Sequence, residues 1–115
     1  MIEIRLKSAD APDGTLEYVA AQGGRRLGAC VFTAGETGEI LSVSTLPGEE
    51  GLADGLIRSA LSLMDRRGSL TAVCRGGADE KILRAVGFSR KDGVWVMEPA
   101  KLGHPCGGSG PDRAE

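Results

Sequence analysis

Val43-Ser44-Thr45-Leu46-Pro47-Gly48-Glu49-Glu50-Gly51-Leu52-Ala53-Asp54-Gly55-Leu56-Ile57 is the stretch whose reading decides the architecture. Its first three residues close a run from Glu39 to Thr45 that reads as a strand, and Leu46 to Gly51 is a loop of Pro, Gly and acid. Then the period changes. Leu52, Leu56, Ile57, Ala60, Leu61 and Met64 recur at helical spacing, and Arg66-Arg67-Gly68 ends the run with basic side chains at the negative pole and a glycine suited to a left-handed cap. A helix that starts straight after a loop leaves N–H groups unengaged at its positive end, which suits phosphate oxygens. Gly51 and Ala53 are small enough to let an anion reach the main chain there.

Upstream, Ile2, Ile4 and Leu6 alternate with Glu3, Arg5 and Lys7, the period of a half-buried strand. Residues 9 to 14 hold turn chemistry in Pro12 and Gly14, and a second strand is expected over Thr15 to Ala21. Gln22-Gly23-Gly24 reads as a hairpin turn into a third strand, Arg26 to Thr33, whose apolar residues on both faces place it mid-sheet. A turn at Gly35 to Gly38 leads into the fourth. Downstream come a short strand at Leu70 to Arg75 and a second helix at Ala78 to Val86, with Asp79 and Glu80 in its first turn and Gly87 closing it. Lys91-Asp92-Gly93 then turns the chain into Val94 to Glu98, giving the order β-β-β-β-α-β-α-β-β. From Lys101 six of the last fifteen residues are Gly or Pro, so residues 1–100 are expected to fold and 101–115 to form a flexible tail.

Composition narrows the function. With 115 residues there is room for one domain, and 14 basic against 16 acidic side chains give no excess to neutralise a nucleic-acid backbone. No apolar run approaches a membrane span, and the start lacks the apolar block of a signal peptide, so a cytoplasmic location is expected. Cys30, Cys74 and Cys106 form no C-x-x-C pair and read as free thiols, Cys74 as a buried small apolar side chain. His104 and Cys106 alone make no metal site. Tyr18, Trp95 and Met97 are expected to pack, and Arg25-Arg26 and Arg66-Arg67 to be solvated.

The ordered series from Glu39 to Met97, with its Gly48-Glu49-Glu50-Gly51-Leu52-Ala53 loop and the Gly87-Phe88 pair after the second helix, resembles the GNAT superfamily of acetyl-CoA-dependent N-acetyltransferases. The resemblance covers residues 1–99 and implies an α/β fold with a mixed, mostly antiparallel sheet. In that family the loop reads Q/R-x-x-G-x-G/A and holds the diphosphate of coenzyme A. Carried over, it implies that Gly48, Gly51, Leu52, Ala53, Asp54 and Gly55 bind the cofactor, while its pantetheine arm lies where the strands at 39–45 and 70–75 splay apart. Val43, eight residues before Gly51, would offer the N–H that polarises the thioester carbonyl. The acceptor would be a small-molecule or peptide amine.

Four departures from the family pattern shape the expectations. Gly48 stands at the Q/R position beside Glu49, Glu50 and Asp54; two unit charges about 6 Å apart repel by roughly 0.7 kcal/mol in water and about 3 kcal/mol at an effective dielectric near 20. Asp54 can instead pair with Arg58 one turn on. Leu83 stands where many members carry a Tyr acid, so coenzyme A would leave unaided as a thiolate, a modest cost for a thiol of pKa about 8.5. Thr37 matches the usual Glu base, and Glu39, on the same strand face, is the candidate instead. Only about residues 8 to 14 separate the first two strands, too few for the family's helix pair. The face those helices would cover must be polar, exposed as an apolar patch, or covered by another subunit, which suggests a homodimer or another partner. The competing expectation is a GNAT-derived module that has lost catalysis and serves binding or assembly.

Overall fold

Alternation in the first half of the chain builds an antiparallel meander, and the helical period that follows lays a helix across it. The computed structural model describes residues 2–8 and 14–102. Four strands, β1 (Glu3–Ser8), β2 (Leu16–Gln22), β3 (Arg25–Ala34) and β4 (Thr37–Thr45), precede helix α1 (Leu52–Arg66). Then come β5 (Thr71–Cys74), α2 (Glu80–Val86), the hairpin β6 (Ser89–Lys91) and β7 (Val94–Met97), and a 3-10 turn at Pro99–Lys101. Among the described residues seven strands form one sheet in the order β1-β2-β3-β4-β5-β7-β6, and of its neighbouring pairs β4 and β5 run parallel and the rest antiparallel. The mixed, mostly antiparallel α/β order expected from the sequence is the one present.

Element ends differ from expectation for local reasons. β4 begins at Thr37 because Gly38 continues the ladder opposite Ala34; a Cβ there would sit 2.5 Å from the Met64 sulfur, so the glycine seats α1 on the sheet. Asp79 lies outside α2: its backbone is extended and its carboxylate accepts the Lys81 N–H at 2.7 Å, making it the N-cap. Leu70 lies outside β5, its N–H given to the Glu36 carbonyl at 2.9 Å and its side chain 70% exposed. Leu102 is half-buried against the core, so the described chain packs two residues past the expected boundary; residues 103–115, with His104 and Cys106, lie outside the described residues, as do 9–13.

Both helices share one face of the sheet. Leu56, Ile57, Ala60, Leu61 and Met64 of α1 are fully buried in one core with Cys30, Phe32 and Ile40, and Leu83 and Val86 of α2 join it. Gly28 permits the close approach: a Cβ there would lie 2.8 Å from the Ser44 carbonyl oxygen and 3.3 Å from Leu56. α1 ends as its sequence predicts, with Gly68 at φ +88, the Ser69 N–H reaching the Met64 carbonyl at 2.8 Å and the Gly68 N–H reaching Asp65 at 3.1 Å, a Schellman closure. Arg84 lies over the Trp95 ring, 5.0 Å from its centroid, and Tyr18 stacks on Phe32, so both aromatics pack as expected.

The opposite face carries rows such as Arg5, Val19, Ala29, Ser44 and Thr33, Glu39, Val73, Val96, aligned by strand register. No helix among the described residues covers it. Its charges pair on the sheet itself: Arg5 with Glu3, Lys7 and Arg26 with Glu17, and Arg75 with Glu39. Where the family resemblance calls for a helix pair, this chain presents small side chains interspersed with ion pairs. Among the described residues no helix is long and apolar enough to cross a membrane.

Candidate functional site

The loop after β4 is built by turn chemistry. The Leu46 N–H bonds back to the Leu27 carbonyl at 2.9 Å, and the Glu49 N–H closes a turn onto the Leu46 carbonyl, also at 2.9 Å. Pro47 and Gly48 occupy its centre, and Gly48 at φ +87 supplies the positive dihedral that a type II turn demands at its third residue. Backbone geometry therefore accounts for the glycine at the family's Q/R position.

Two further bonds, Leu52 N–H to the Glu49 carbonyl at 3.0 Å and Ala53 N–H to that of Glu50 at 3.2 Å, wind the chain into α1. Gly51 is the N-cap, with no side-chain hydrogen bond capping the helix, and a Cβ on it would meet nothing within 4 Å. The helix thus opens onto free space at its positive end. The other residues assigned to this site divide. Ala53 is buried on the inner side of α1, and Leu52 packs partly against the core. Gly55 presents its Cα to Ile4, whose Cδ1 would be 3.1 Å from a Cβ there, so it serves helix packing. Asp54 pairs with Arg58 at 2.5 Å, the i,i+4 contact expected from the sequence. Glu50 stays exposed and bends back onto the loop: its carboxylate accepts the Gly48 N–H at 3.1 Å and holds a negative charge there.

The second part of the site is the seam between β4 and β5. Register shifts between Val31↔Ser42 and Phe32↔Ile40, so Leu41 bulges out of the β3–β4 ladder. Parallel pairing with β5 ends at Ile40↔Cys74. Beyond it the strands do not stay open. Arg75-Gly76-Gly77-Ala78 continues alongside β4 in the same direction, and the Val43 N–H donates to the Gly77 carbonyl at 2.8 Å. The N–H expected to be free for a thioester carbonyl is engaged by the chain itself.

Glu39, the candidate base, is half-buried on the helix-free face, and its carboxylate lies 2.9 Å from the Arg75 guanidinium. Its own N–H donates to Thr33 Oγ1 at 3.2 Å, while Thr37 is exposed. Leu83 is fully buried in the core, so the family's acid position is a packing position here. Cys30 and Cys74 are buried free thiols; burial, with Cys74 nearby, pushes the Cys30 thiol up to about 12, so it stays protonated at neutral pH. Sequence reasoning did not single out Arg75 and Gly77. The signal available was a glycine pair directly after a strand, a place where backbones can approach closely.

No protein-family model matches the sequence, and neither does any curated protein. Solved structures do match in three dimensions. An IAA acetyltransferase from Bacillus cereus superposes with a TM-score of 0.69 at 16% identity, over 85% of this chain and 99% of that one. A GNAT family acetyltransferase from Elizabethkingia anophelis with acetyl-CoA bound gives 0.67 at 13% identity, over 84% and 97%. A GNAT family acetyltransferase from Brucella melitensis in complex with acetyl-CoA gives 0.60 at 26% identity, over 72% and 57%. The chain has the fold of the GNAT acetyltransferases.

Proposed function

We propose that this chain is a cytoplasmic N-acetyltransferase that takes acetyl-CoA as co-substrate and passes its acetyl group to a small-molecule or peptide amine. The observation that carries the reading is the succession from a bulged β4, which loses its parallel partner after Ile40, into a helix whose first turn has a glycine cap and open space above it. That cradle offers a diphosphate the positive end of α1 and the space Gly51 leaves, once the Leu52 and Ala53 N–H groups, engaged by the Glu49 and Glu50 carbonyls rather than free as the sequence suggested, turn to the ligand. Glu50 must release Gly48 for the loop to receive it. Acetyl-CoA supplies the activated acyl group.

The chain's own residues then divide the work. The Val43 N–H, once released from Gly77, stabilises negative charge developing on the thioester carbonyl oxygen. Glu39 accepts the proton of the incoming ammonium, since an amine of pKa about 10.4 is almost wholly protonated at pH 7. The leaving thiolate departs without a protein acid, because Leu83 lies in the core. A homodimer through the helix-free face would wall the acceptor side that the family builds from helices. The second reading, a GNAT-derived binding or assembly module without catalysis, is favoured by the internal bonds that already take the Val43 and Gly48 N–H groups.

Calorimetric titration with acetyl-CoA tests the first reading. The wild-type protein is expected to bind, and Gly51→Glu to bind at least about tenfold more weakly because it fills the cradle with a like charge. Absence of binding at millimolar ligand removes the enzyme hypothesis. With binding established, amine-dependent thiol release should fall about 100-fold in Glu39→Gln, and equal rates would clear Glu39 of any role as base.

A further inference from the structure

Two groups given chemical roles above, the Val43 N–H and the Glu39 carboxylate, are engaged by the same short segment. Gly77 takes the first at 2.8 Å and Arg75 takes the second at 2.9 Å. The fit of the segment against β4 is tight. A Cβ on Gly77 would overlap the Leu41 carbonyl, coming within 2.7 Å of its carbon and 3.1 Å of the Ser42 Cα, so only glycine can lie there. Gly76 beside it adopts φ +138, a conformation that side-chain-bearing residues rarely take. Arg75 pairs through its guanidinium, with most of its side chain exposed.

From this we infer that Arg75–Ala78 is a strap that closes the pantetheine cleft and masks the base, so that coenzyme A entry and release of Glu39 are one coupled event. The inference rests on the acetyltransferase reading. A ligand carbonyl can reach the Val43 N–H only where the Gly77 carbonyl now sits, so the two compete for one donor. Arg75 is two residues from Gly77, and withdrawing the strap draws the guanidinium from Glu39. Arg75 is thereby a positioning residue. The protein binds coenzyme A through the fraction of molecules whose strap is open, and apparent affinity scales with that fraction.

The sign of the effect separates this role from a structural one. Alanine at 77 cannot occupy the closed position, so Gly77→Ala is expected to bind coenzyme A about five- to tenfold more tightly than wild type, with faster hydrogen exchange at the Val43 amide. Arg75→Gln, which changes an exposed side chain, should tighten binding two- to threefold, and Arg75→Lys should keep the ion pair and the wild-type affinity. Equal or weaker binding by Gly77→Ala, with the Val43 amide released, overturns the strap while leaving the cofactor site intact. Undetectable binding by both wild type and Gly77→Ala, with that amide released, removes the acetyltransferase reading and the strap with it. Should Gly77→Ala fail to fold, Arg75→Gln decides: affinity unchanged from wild type overturns the coupling.

Discussion

β4 has two edges of different character. Toward β3 it is paired from Gly38 to Thr45, interrupted only by the bulge at Leu41, and the helical layer lies across both strands. Toward β5 it is paired from Thr37 to Ile40, and beyond that its Val43 N–H is taken by the Gly77 carbonyl. The first edge is closed by strand backbone and buried side chains, which no small ligand can replace. The second is closed by a single acceptor of the kind an acyl-CoA also carries. On the acetyltransferase reading, one strand would serve stability along one side and exchangeable bonding along the other.

The largest expected effect lies on the β3 side. Gly28→Val places side-chain atoms against the Ser44 carbonyl and Leu56, where backbone cannot yield, and should cost about 3 kcal/mol, read as a lower urea midpoint. An unchanged midpoint would mean that this edge is as forgiving as the other.

Next comes a pH effect on the same strand. The Cys30 thiol sits at about 12 in the folded chain against an ordinary value of 9.0, so above pH 9 the unfolded chain releases a proton that the folded chain keeps. The associated stability is intact below pH 9 and declines as pH rises toward 12, at up to about 1.4 kcal/mol per unit. Chemical denaturation at pH 8 and pH 10 should show the fall, and Cys30→Ala should lessen it.

The smallest effect belongs to the β5 side and its loop. Glu50→Gln removes a charge but keeps an oxygen that can accept from Gly48, so coenzyme A affinity should rise about threefold while Tm stays unmoved. A large change in Tm would show that the loop belongs with the stable edge.

Much of this was legible in the residues. The alternation of Ile2 to Lys7, the helical spacing from Leu52 to Met64 and the Arg66-Arg67-Gly68 stop are side-chain patterns, and patterns of that kind report which face is buried. The order of strands and helices around them pointed to the fold. Events between backbones left less trace. Nothing in the identity of Leu41 announces a bulge, because a bulge is decided by how two strands pair. The Val43–Gly77 bond joins main-chain atoms far apart in sequence, with only the bare Gly76-Gly77 pair as a hint. Asp79 was legible as an acid near a helix start, but whether it opens the helix or caps it depends on its own dihedrals. Ala53 and Gly55 matched a binding motif by smallness, yet smallness also serves a helix pressed onto strands, and here it does.

β5 (Thr71–Cys74) lies between β4 and β7 and so joins the four-strand meander to the β6–β7 hairpin. Four residues thus act as the spine of a book whose covers are the two halves of the sheet. A wedge driven in beyond Cys74 would have to part the covers against that short ladder and against the core that α1 shares with α2 and Trp95.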